Sequence, residues 1–325
     1  SQKMSLPHAV KTNPPAGPPA ACSIAVVGMD AAFGAMSSLK DFRESVLNGL
    51  TVIGNPPDSR LRGAESTVES CLGRPDLYGG FMENLDFPFG NFRIPPAEIP
   101  DILPQQLLML KVASNALADA GYGSIETLPR MGALIGVEFD FETTDFHLRW
   151  DMENHVAHWK QLLGLDLDDE QTAHWLEDLK NASGKPLTAT RTLGALASIV
   201  ASRIAREFRF GASSFVVSQG ESSGLRALDL GIRSLQQYET DGMLIGAVDL
   251  YGDVRNIILN HLRQPFSSKK TVHPFDISAS GTLPGDGCGA LVLKRLDDAI
   301  RDGNRIYSII KGIGSASGTH VRKWQ

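Results

Sequence analysis

Residues 208–231 read FRFGASSFVVSQGESSGLRALDLG. Ser214–Val217 is a short β-branched and aromatic run, which predicts a strand. Ser218–Ser223 is a cluster of small and polar residues that predicts a sharp turn. From Leu225 to Tyr238 the apolar residues recur at helical spacing, which predicts a helix. A buried strand feeding a helix through a tight turn is a unit of an α/β layered fold.

The same alternation continues on both sides. SIAVVGM (23–29) and MGALIGV (131–137) are short apolar runs that predict buried strands, and Gly242–Val248, Cys288–Leu293 and Tyr307–Ile313 predict three more. Helices are expected over Ser37–Leu47, Gln105–Ala120 with Gly121 as its stop signal, Thr192–Glu207 and Leu296–Asp302. Residues 49–104 are rich in Gly, Pro and charge and read mostly as loop. The charged stretch 150–186 reads as a helical insert. Strands alternating with helices predict a largely parallel sheet. Residues 1–22 are rich in Pro and Ala without periodicity and read as a linker or leader, as of a domain cut from a longer polypeptide. Residues 319–325 form a polar tail.

Composition narrows the function classes. The chain has 325 residues, 42% hydrophobic and 21% charged, enough for one large α/β domain. A net charge of -6 with scattered Lys and Arg argues against a nucleic-acid partner. No apolar run is long enough to span a membrane and no signal peptide is visible. Cys22, Cys71 and Cys288 have neither disulfide nor zinc spacing, and a reducing, cytoplasmic setting is expected. His155, His158 and His174 lie on charged helical sequence without an HExxH pattern and read as a solvated lid, not a metal site. GTLPGDGCG (281–289) lacks the Lys-Ser/Thr of a phosphate loop and reads as a hairpin turn. GIGSASG (312–318) lacks those features too, and no cofactor is expected.

Several segments, in order, resemble a β-ketoacyl synthase: SIAVVGMDAAFG (23–34), SLKDFRESVLNG (38–49), LPQQLLMLKVASNALADAG (103–121), the turn segment 208–231, and HPFDISASGTLPGDGCGALVLKRLDDAIRDGNRIYSIIKG (273–312). The resemblance covers roughly residues 23–318. Within the family, LRGAE (61–65), FRIPPAEIPDILPQQLLMLKVA (92–113) and GVEFDFETTDFHLRW (136–150) look most like ketosynthase-type domains of polyunsaturated fatty acid synthases, with iterative polyketide and glycolipid synthases as near relatives. The resemblance implies a thiolase-like α-β-α-β-α layered fold with a mixed, mostly parallel, five-stranded sheet in the first half. It also implies that most of the family's C-terminal half lies outside these residues, which would leave sheet edge and apolar helix faces exposed.

A condensing enzyme of this family places a cysteine thiolate at the helix start, four residues before a leucine, where helix N–H groups lower its pKa. Counting back from Leu225 reaches Glu221. Gln219, Gly220, Glu221, Ser222 and Ser223 therefore read as a vestigial site with no catalytic residue. Glu is a poor nucleophile toward a thioester, but can sit as an anion at a helix N-terminus. The family's His-Gly-Thr and Asn-x-Gly-His motifs are not in these residues either. His273 reads as a turn residue, and His320 has no assigned place.

The expectation is a domain not catalytic alone but part of a β-ketoacyl synthase complex. It would be of chain-length-factor type, pairing as homo- or heterodimer with an active ketosynthase and shaping its acyl tunnel. By resemblance, Glu138, Phe139 and Phe141 lie at the dimer interface and tunnel end. Two alternatives stay open. One is a malonyl-carrier decarboxylase that supplies primer, which would need the absent histidines. The other is a docking surface for a phosphopantetheinyl acyl carrier protein, on Arg203, Arg206 and Arg209.

Overall fold

The computed structural model describes residues 22–61, 63–88, 90–123, 127–141, 145–251, 253–273 and 276–315. The expected leader, apart from Cys22, and the tail with His320 lie outside these residues, as does the Pro-Phe of the expected Pro-Phe-Asp turn. In chain order the elements are β1 (Ile24–Phe33), α1 (Leu39–Leu47), α2 (Asp58–Leu61), α3 (Glu65–Leu72), a 3-10 turn (Pro96–Asp101), α4 (Pro104–Asp119), β2 (Met131–Val137), α5 (Asp145–Leu162), α6 (Asp169–Ser183), α7 (Ala189–Ala195), α8 (Ile199–Glu207), β3 (Ser214–Val217), α9 (Ser223–Gln236), β4 (Gly242–Asp249), α10 (Val254–Arg263), β5 (Gly287–Arg295), α11 (Leu296–Arg301) and β6 (Ser308–Ile310).

The strands form one sheet in the order β3-β2-β4-β5-β1-β6. Its two faces are both covered, which is why the strands read as continuous apolar runs. On one face Ala25, Val27, Ala133, Ile135, Leu244 and Val292 pack with α4 and α8. On the other, Ile24, Val26, Leu134, Met243, Ile245 and Leu293 meet Ala227, Ile232 and Leu235 of α9. α4 is largely buried, with Met109, Leu110 and Leu117 almost fully so, and shows solvent only the side with Asn115 and Ala118 and its start at Pro104. It presses on β1 so closely that a Cβ at Gly28 would stand 2.5 Å from the Ala116 carbonyl oxygen. Leu225 on the other side of α9, Leu262 on α10 and Phe215 on edge strand β3 are exposed.

The sheet's first five strands, β1–β5, lie within residues 24–295, and β6 follows. Three expectations do need correction, the first of them about this sheet. It is mixed but not mostly parallel: β2 pairs in parallel with β3 and β4, while β4/β5, β5/β1 and β1/β6 are antiparallel. Apolar periodicity is the same for either strand direction, so connections decide it. The segment leaving β4 at Asp249 re-enters at Gly287, directly opposite, and β5 must run back antiparallel. For the same reason 281–289 is no hairpin: the strand it enters pairs with β4 and β1, and among Gly281, Gly285, Gly287 and Gly289 only Gly281 has positive φ (102°). Finally, the helix expected over 192–207 breaks into α7 and α8. Gly194 sits so near the Asp101 carbonyl that a Cβ would lie 1.8 Å from its oxygen. The Gln106 amide takes the Gly194 and Leu196 carbonyls at 2.7 and 3.0 Å, removing acceptors a continuous helix would use.

The insert at 150–186 is the helical pair α5 and α6. A capping box of Asp168 and Gln171 starts α6, and Arg149 ties the pair by donating to the Lys180 and Gly184 carbonyls at 2.6 and 2.9 Å. Among the described residues no helix is long and apolar enough to cross a membrane.

Candidate functional site

The carboxyl ends of the parallel strands β2 and β4 and the start of α9 meet at one place, where open α/β sheets commonly bind ligands. A cavity of about 640 Å³ opens there. Its apolar walls include Phe33, Val137, Ala247 and Val248. Its polar lining includes Glu138, Glu221, Asp249, Tyr251, Arg263 and Asp286.

The elbow above it is held by its own polar groups. Gly220 takes φ 56°, a left-handed conformation that glycine adopts without strain. The Ser223 hydroxyl accepts from the Gln219 N–H at 2.8 Å and donates to the Gly220 carbonyl at 2.6 Å, while Ser222 Oγ donates to the Gln219 carbonyl at 3.0 Å. Close glycine contacts seat the helix start: a Cβ at Gly136 would lie 2.6 Å from the Gly224 nitrogen, and one at Gly224 would lie 2.9 Å from Ala247 Cβ. Glu221 is exposed at the turn and faces the cavity. Among the described residues no hydrogen bond ties its carboxylate to the first turn of α9.

Two acids that the sequence did not single out dominate the floor. Asp286 has a fully buried side chain that accepts from the Met82 and Tyr251 N–H groups at 2.7 Å each and is paired with the Arg60 guanidinium. It thereby pins three cavity-wall segments that are distant in sequence. Asp249, at the end of β4, has its pKa pushed up to about 6, first by burial and then by the charges of Glu138, Asp286 and Asp140. The Tyr251 phenol is pushed up to about 12, mainly by burial and then by Asp249, Glu221 and Glu138, which keeps it protonated. Cys288 also lines the cavity, but burial, with the nearby Asp30 charge, raises its thiol well above the ordinary range. Its Sγ lies 3.6 Å from Met109 Sδ, so it is an inert core thiol and no stand-in nucleophile.

Of the expected tunnel residues, Glu138 lines the cavity and its Oε2 is buried without a hydrogen-bond partner. Phe139 is 53% exposed and packs edge-on against Phe141 at 5.4 Å, and the Arg255 guanidinium covers the Phe141 ring at 5.6 Å. The three arginines considered for docking differ in exposure. Arg203 is half-buried, 3.3 Å from Gln106 Oε1, and burial lowers its pKa. Arg206 and Arg209 are exposed, with Arg209 beyond the end of α8 at φ 52°. His155 pairs with Asp151 at 2.6 Å and stacks on Trp159, and His174 lies 3.6 Å from Asp178. Among the described residues no group of three metal-type side chains forms.

The sheet, its two helical coats and a strand–elbow–helix site at the carboxyl ends of β2 and β4 define a layered α/β protein of the thiolase-like, ketosynthase class. The family model for the β-ketoacyl synthase N-terminal domain matches residues 21–299, and the chain belongs to that family. It is 28% identical over 92% of its length to a polyunsaturated fatty acid synthase polypeptide of Thraustochytrium, and 28% identical over 92% of its length to polyketide synthase PksM of Bacillus subtilis. It spans 14% and 6% of those proteins. Among solved structures, PfaC keto synthase–chain length factor superposes with a TM-score of 0.74 at 26% identity, covering 89% of this chain and 30% of that one.

Proposed function

We propose that this chain is a non-condensing, chain-length-factor-type ketosynthase domain of a polyunsaturated fatty acid or polyketide synthase. On this reading it pairs with an active ketosynthase and shapes the tunnel that receives the growing acyl chain. The observation that carries the reading is the elbow itself. The strand, turn and helix are kept, with Gly220 and Ser223 in place, while the residue aimed at the cavity is Glu221, and the one cysteine of the lining, Cys288, is buried and protonated. The likeness to a solved keto synthase–chain length factor supports it. So does the exposed edge of β3 with Phe215, a surface suited to a partner.

The test mixes the parent protein with a cysteine-bearing ketosynthase domain of the same synthase. Light scattering after size exclusion should show a stable heterodimer, and Phe139→Ala should change product chain length. A chain that ignores the ketosynthase, or products of unaltered length, would overturn the reading.

A further inference from the structure

The cavity beneath the elbow holds more carboxylates than the replaced cysteine accounts for. Glu138 comes from the end of β2, Glu221 from the elbow, Asp249 from the end of β4 and Asp286 from the start of β5. Asp286 is offset by Arg60 and two backbone N–H groups. The other three share the lining with one cation, Arg263 at the exposed end of α10. Asp140 adds negative charge beside Asp249, and protonated Tyr251 adds none. Glu138 Oε2 is buried without a donor. Because the acids arrive on separate elements, changing any one leaves the others in place.

We infer that Glu138 and Asp249 are selectivity residues that make this cavity exclude anionic acyl groups and admit uncharged ones, so that a malonyl-type thioester is refused whatever residue stands at position 221. The inference rests on the reading of the cavity as an acyl-thioester site. A malonyl carboxylate entering here meets like charges within apolar walls, Phe33, Val137 and Val248, where water screens poorly. An uncharged acyl group of the same length meets only the walls. The same electrostatics oppose the decarboxylase alternative.

The test uses the whole chain and two probes that differ in charge and by one methyl group, malonyl-pantetheine and its methyl ester, with affinities read by titration calorimetry. Near pH 7.5 the ester should bind more than about tenfold tighter, as expected where like charges are juxtaposed. The double variant E138Q/D249N, checked for fold by circular dichroism, should bring the two probes within about threefold. D249N alone should narrow the gap part-way, and E221Q alone should leave most of it. Lowering the pH to about 5.5 should narrow the gap as Asp249 is protonated while the malonyl carboxylate stays ionised. Equal affinities in the unmodified chain, a gap the double variant does not move, or binding of neither probe would each overturn the inference. Pairing with a ketosynthase is read separately. A heterodimer without charge selectivity removes this inference alone, and selectivity without a heterodimer removes the partner reading alone.

Discussion

The two ends of the parallel strands treat their carboxylates in opposite ways. At the amino end, acids are paired. Arg130 bonds Asp241 at 2.6 Å, and Arg295 reaches Asp241 at 2.6 Å, Asp298 at 2.5 Å and the Thr240 carbonyl at 2.6 Å. Arg301 meets Asp298 and Asp302, and Lys294 joins Asp302 and Asn304. The Arg130 bond holds the Asp241 pKa down, and the Lys294 bond does the same for Asp302. At the carboxyl end Asp249 is pushed up to about 6 by burial and like charge, and Glu138 keeps an unpartnered oxygen. One end uses its charge for stability. The other, the paired Asp286 apart, retains groups that cost stability, which is the usual mark of a functional site.

The largest effect is expected at the paired end. Arg295→Met takes a donor from the buried Leu235 and Thr240 carbonyls and one of two partners from Asp241 and Asp298, and should cost about 3–5 kcal/mol in urea unfolding. A loss near zero would mean that this end is no staple.

The cavity end should respond with the opposite sign. Because the folded Asp249 binds its proton more tightly than the unfolded one, its contribution is favourable below the unfolded carboxylate pKa and is lost as pH rises through about 6. Asp249→Asn should therefore raise stability near neutral pH by up to roughly 3 kcal/mol, with the gain fading as pH falls toward 4. Asp241 and Asp302 behave conversely: their contribution is present above the unfolded pKa and is lost as pH falls through their depressed folded values. Urea midpoints across the acid range separate the two signs, and a gain from Asp249→Asn that does not vary with pH would contradict the assignment.

The smallest effect on stability is expected at Glu221. The side chain is exposed and makes no hydrogen bond among the described residues, so Glu221→Gln should leave the melting temperature unchanged. A clear loss would make it a structural acid of the helix start.

Much of the frame was legible from residues close in sequence. Val-Val before Ser-Gln-Gly, and the helical spacing that opens at Leu225, mark the strand, the elbow and the helix without any tertiary information. MGALIGV marks a strand buried on both faces because every residue is apolar or small. Asp249 was within reach, as a polar residue closing an apolar strand where α/β sheets bind ligands, but nothing local distinguishes it from a surface acid.

What the sequence determined by itself was local: which segments are strands and helices, and where the elbow turns. Only the tertiary structure decided the antiparallel sense of β5, the break at Gly194, the inward turn of Arg203 and the gathering of Glu138, Asp249 and Asp286 around one cavity. The physical reason is range. Periodicity and turn chemistry act over a few residues, whereas strand direction, desolvation and like-charge repulsion depend on groups that only the packed sheet brings together.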